Sequence, residues 1–144
     1  MFCAESPQDT RQFFFSSWKK HKTNQPLTSL EQQIVNVVMV HPEYHSILES
    51  ISPQDHTAYF PELGQTNPFL HMGLHLAIRD QIVTNRPTGI TDIYNQLLKK
   101  YIDPLIGEHL LMDNLAECMW QAQRNQGLMD ETAYINACYQ LLAS

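Results

Sequence analysis

Apolar side chains recur along this chain in steps of three and four, the period of a helix, and no segment alternates as a strand requires. Phe14 and Trp18 stand four apart behind Ser6-Pro7-Gln8-Asp9, where a cap, a first-turn proline and an acid predict a helix to about Lys22. Asn24-Gln25-Pro26 breaks it. Thr28-Ser29-Leu30-Glu31 has the form of a capping box and opens a second helix, which carries Leu30, Ile34, Val37, Val38, Tyr44 and Leu48 on one face. Residues 52 to 66 contain two prolines and a glycine and are expected to form a long irregular loop. Asn67-Pro68 caps a third helix, ending near Asn85-Arg86-Pro87, and a fourth runs from about Gly89 to Tyr101. Asp103-Pro104 opens a long fifth helix that stops at Gly127, and Asp130 caps a sixth. The pattern therefore predicts an all-α, single-domain bundle of about six helices over residues 1–144.

The third helix stands out within this pattern. FLHMGLHLAI, from Phe69 to Ile78, has no polar side chain except His71 and His75. A helix apolar on every side is expected at the centre of a fold. Gly73 between the two histidines weakens the helix by about 1 kcal/mol relative to alanine, which predicts a close neighbour there.

Composition narrows the setting. A chain of 144 residues is long enough to bury a core. Its formal net charge of -6 argues against a general nucleic-acid binder. Lys19-Lys20-His21-Lys22 is basic, but at the end of the first helix it complements the helix dipole. MFCAESPQDTRQ lacks the apolar core of a secretory leader, and no apolar run is long enough to span a bilayer. A soluble cytoplasmic protein with reduced thiols is expected. Cys118 and Cys138 read as small core residues.

The candidate chemistry lies in the histidines. His41 and His45 stand four apart, as do His71 and His75, and His109 is followed at the same step by Asp113 and Glu117. Residues four apart share a helix face, so three helices would each aim ligand-type side chains one way. Pro42 should kink or restart the second helix, leaving His41 as a cap and His45 as the safer ligand. His71 and His75 share a face with Ile78 and Ile82, where a buried imidazole needs a partner or a metal. His109 falls among Leu105, Ala116 and Trp120, with Asp113 and Glu117 progressively nearer the rim. Glu62, in the loop, is a further carboxylate whose role the sequence leaves open.

Three readings of these residues compete. The imidazoles and acids can form a buried polar network that only specifies packing. They can hold zinc, iron or manganese through His45, His71, His75 and His109, with Asp113 or Glu117 completing or orienting the set. Or a histidine and a carboxylate can work as a metal-free acid–base pair. The absence of HExxH removes the zinc-protease arrangement, and the absence of ExxH counts against a ferritin-like di-iron bundle. Whether the chain is an enzyme stays open. The alternative function is a non-enzymatic interaction module that docks a protein partner, or a second copy, through its aromatic first helix or acidic surface.

Two resemblances add to this reading. The four-apart pair His71 and His75, with His109 and Asp113, is similar in style to hemerythrin-type bundles, where histidines and acids of successive helices project inward. More specifically, HPEYH, PELGQTNPFLHMGLHLAI and EHLLMDNLAECMWQAQR together resemble an uncharacterised bacterial domain-of-unknown-function family over nearly the whole chain. That resemblance implies the domain boundaries and a bacterial origin. It implies no activity, cofactor or substrate.

Overall fold

Seven α-helices and one 3-10 turn form in the computed structural model, which describes residues 7–50 and 68–143, with side chains over 11–49 and 68–143. In chain order they are α1 (Pro7–Lys22), α2 (Ser29–Met39), a 3-10 turn (Pro42–Tyr44), α3 (His45–Ser50), α4 (Pro68–Thr84), α5 (Ile90–Lys100), α6 (Pro104–Arg124) and α7 (Glu131–Gln140). Among the described residues there is no strand, so the fold is all-α. The expected cap at Ser6, the loop of residues 52–66 and Glu62 lie outside the described residues. The chain divides into two compact units, Phe2–Leu76 and Ala77–Ser144, with the division inside α4.

The first unit is built on aromatic and β-branched side chains at helical spacing. Phe14, Phe15 and Trp18 of α1, Ile34, Val35, Val37 and Val38 of α2, Leu48 of α3 and Phe69, Met72 and Leu76 of α4 form one buried cluster. Phe69 is gripped by Phe14 and Phe15 at ring distances of 6.2 and 5.7 Å. The capping box is present: Thr28 accepts the amide of Glu31, and Glu31 accepts the amide of Thr28 at 2.8 Å. Lys20 adds an ion pair to Glu31 at 2.7 Å, which ties α1 to the start of α2.

The predicted second helix breaks into three pieces at Pro42. Proline has no N–H to give the carbonyl of Val38, four residues back, and its ring crowds that carbonyl. The backbone instead turns at His41, whose amide bonds Val38 O at 2.9 Å, and restarts as a 3-10 turn before α3. This accounts for seven helices where about six were expected.

The second unit packs the end of α4 with α5, α6 and α7. Ile78, Ile90, Ile93, Leu97, Leu111, Met112, Leu115, Tyr134 and Cys138 are buried. Gly107 lets α6 approach α5: a Cβ there would sit 3.4 Å from the Cβ of Leu97. Two polar links cross this core. Arg79 donates two hydrogen bonds to buried Glu108, both at 3.2 Å, and the Tyr134 hydroxyl donates to Gln81 at 2.7 Å.

α1, α4 and α6 end alike, on Asn24, Asn85 and Gln126 in the left-handed region, with φ of 59, 54 and 53°. The next amide then bonds the carbonyl five residues back in each case, closing the last turn. At the end of α6 it is Gln126 and not the expected Gly127 that takes the left-handed conformation. At Gly73, where a close neighbour was expected, no described residue beyond its own helix lies within 4 Å of where a Cβ would be. Nor is α4 buried on every side, since Leu70 and Val83 are exposed.

Candidate metal centre

Three histidines of the first unit converge. His41 sits in the break between α2 and the 3-10 turn, while His71 and His75 stand one turn apart on α4. His41 and His75 are buried at 3 % and 0 % exposure, and His71 is half-buried. His41 Nε2 lies 3.0 Å from His75 Nδ1. The His41 ring meets His71 edge-on at 4.7 Å between centroids and His75 at 5.1 Å. One ring nitrogen from each of the three lies within 4.8 Å of the others, close enough to share one ion. At zinc–nitrogen bonds of about 2.05 Å, tetrahedral ligands stand roughly 3.3 Å apart, so the His41–His75 pair needs to open by only a few tenths of an ångström.

The turn that carries His41 also dresses its ring. Glu43 Oε1 accepts from His41 Nδ1 at 3.0 Å, and Tyr44 stacks on the ring at 5.4 Å between centroids with the planes 24° apart. Burial pushes the Glu43 carboxyl up, but the hydrogen bond from His41, its own backbone amide and the charge of His41 and His71 outweigh it, leaving Glu43 below its ordinary value. An ionised carboxylate only accepts, so Nδ1 of His41 carries the hydrogen. In neutral His41 the Nε2 lone pair then faces His75. The Nδ1–H of His75 fills that lone pair.

His45, expected to be the safer of the first pair, is not among these three. Its Nε2 donates to the carbonyl of Val38 at 2.9 Å, the group that Pro42 cannot satisfy, and its ring packs on Trp18 at 4.6 Å. The same proline that frees His41 to turn inward thus binds His45 to the backbone. On α6, the buried arc is Gly107, Glu108, Leu111, Met112 and Leu115, not the arc containing Trp120, which is half-exposed. His109 lies roughly 120° from the centre of that arc, on a flank with Leu105 and Ala116. It is half-buried, with its Nε2 screened from solvent. Asp113 and Glu117 lie still farther round and are exposed, and Glu117 accepts from Gln121 at 2.9 Å.

Sequence reasoning passed over Glu43 and read Tyr44 only as an apolar position of the second helix. A signal was present: a proline restarting a helix puts the preceding residue at the cap and the next ones in its first turn, beside it. It also passed over Arg79 with Glu108, although 108, 111, 112 and 115 follow the i, i+3, i+4, i+7 rhythm that marks a buried face.

Residues 6–140 match the sequence profile described as "Domain of unknown function (DUF1841)". The chain belongs to this family. The match takes in both compact units and every histidine discussed above. No curated protein and no solved structure matches the chain.

Proposed function

We propose that this member of the family binds a divalent transition-metal ion through His41, His71 and His75. The observation that carries the reading is the buried convergence of His41 Nε2 on His75 Nδ1 with a carboxylate on the far nitrogen of His41. Metal-bound histidines commonly give their other ring N–H to a carboxylate in this way. A set of neutral imidazoles suits zinc or iron better than manganese, which prefers oxygen. His109 stays in the proposal as a fourth ligand on the sequence argument alone. Four protein ligands would make a closed, structural zinc site; three would keep a position for water, which the metal would acidify into a nucleophile or base. Asp113 and Glu117, exposed on α6, are not part of the proposal. A cytoplasmic, bacterial setting belongs to the same reading, and no helix among the described residues is long and apolar enough to cross a membrane.

A second reading rests on the same 3.0 Å contact, because an imidazole–imidazole hydrogen bond satisfies both nitrogens without an ion. The histidines would then be a structural network in a non-enzymatic interaction protein. Elemental analysis of untagged protein, before and after reconstitution with zinc, iron(II) and manganese(II), separates the two. Near-stoichiometric zinc or iron that falls in His71→Ala supports the metal reading. No stoichiometric metal after reconstitution overturns it. Loss of metal in His109→Ala would mark the closed form of the site.

A further inference from the structure

We infer that Glu43 is the positioning residue of this centre: its carboxylate, by holding Nδ1 of His41, fixes the ring so that Nε2 is the atom presented to the metal. The inference rests on the metal reading. It stands on three features of the 3-10 turn. Pro42 begins the turn, which brings Glu43, two residues after His41, back to 3.0 Å from the His41 ring. Tyr44 lies against the face of that ring, so rotation about χ2 is blocked on one side while the carboxylate pins its edge. His41 is buried and Glu43 is 56 % exposed, so the carboxylate reaches in from solvent and fills no space in the core.

That last contrast makes the role separable from packing. Deleting an exposed carboxylate leaves no cavity, and the loss of an acceptor by the buried Nδ1–H of His41 costs stability whether or not metal is bound. The ring it holds, however, is free to flip about χ2 and to change tautomer once the anchor is gone. The anchored ring presents the Nε2 lone pair to His75 and the metal, whereas a flipped ring presents Cε1–H and the other tautomer presents Nε2–H, neither of which can ligate. A carboxylate partner also makes the imidazole a stronger donor to the ion. Losses of this kind of outer support commonly weaken metal affinity by about 10- to 100-fold.

The test uses the full chain, with zinc(II) affinity measured by competition against a chromophoric chelator and melting measured with and without metal. Glu43→Ala is expected to weaken zinc binding about tenfold or more, with the melting temperature falling further in zinc than in the metal-free protein. Glu43→Gln, whose amide oxygen can still accept from Nδ1–H, is expected between the alanine variant and the parent. Cobalt(II) loaded at saturation adds a spectroscopic readout: a visible band altered in Glu43→Ala but near the parent's in Glu43→Gln reports a ligand that has moved. Wild-type affinity in Glu43→Ala would overturn the inference and leave the metal reading standing. So would a glutamine variant as weak as the alanine one, because charge and not orientation would then be at work. An equal drop in melting temperature with and without metal would assign Glu43 to packing. A parent protein that binds neither zinc nor cobalt would instead remove the metal reading itself.

Discussion

Replacing His75 with alanine tests the centre most directly, because this side chain is fully buried and one of its nitrogens touches His41. Two contributions are lost, and they depend differently on metal. The imidazole–imidazole hydrogen bond and the ring volume vanish whatever is bound, at a cost of about 2–3 kcal/mol. Bound metal adds RT ln(1 + [L]/Kd), about 2.7 kcal/mol for the parent at a free concentration of 100 Kd. If the loss of one ligand raises Kd about 100-fold, the same concentration gives the variant only roughly 0.4 kcal/mol. For a chain of this size, each kcal/mol is worth about 4 °C, so zinc should raise the parent's melting temperature by ~10 °C and the variant's by under ~2 °C. Thermal unfolding in a zinc titration, with a matched series in chelator, reads both terms. His71→Ala, at a half-buried position, is a milder companion should the first variant fold poorly. A zinc-dependent increment that survives in both variants, or is missing from the parent, would refute the reasoning.

Other expectations follow from the surrounding structure. Arg79→Ala removes both hydrogen bonds to buried Glu108, and because Arg79 is partly exposed the cost should be held to about 2 kcal/mol in urea unfolding at pH 7. A cost below about 0.5 kcal/mol would count against a charge-assisted pair at a buried carboxylate. The hydrogen bond from Lys20, followed by the Thr28 amide, holds Glu31 below its ordinary value of 4.5. A depressed carboxyl stabilises the fold above its unfolded value, and that contribution is lost as pH falls through the lower folded one. Lys20→Ala should therefore flatten the decline in stability below about pH 4.5, as acid titration by circular dichroism would record, while Thr28→Ala should cost about 1 kcal/mol at neutral pH. Burial pushes the Cys138 thiol up to about 11 and also raises that of Cys118. At pH 8, iodoacetamide should label Cys118 slowly and Cys138 only on unfolding, and rapid labelling of Cys138 in the native protein would contradict its burial.

Local rules made the helices legible in the sequence. The capping box at Thr28, the aspartate caps at Asp103 and Asp130 and the prolines at 68 and 104 act over a few residues, and each appears where the pattern put it. The histidine pair on α4 was legible for the same reason, since a four-residue spacing is a property of one helix. The other candidates were not, because their direction depends on matters beyond spacing. Pro42 was visible, yet which of its neighbours turned inward depended on which side chain would take the remaining lone pair of the Val38 carbonyl, already bonded by the His41 amide. His45 took it, and His41 was left to meet His75. On α6, a helical wheel could not choose the buried arc, because nearly every face carries apolar residues. Packing against α5 and α7 chose the one with Gly107, Glu108 and Leu111, and turned Asp113 and Glu117 to solvent. Sequence periodicity thus determined which residues are helical and which share a face. Tertiary packing decided which face was buried and which histidine nitrogens came within 3.0 Å, because those outcomes depend on neighbours distant along the chain.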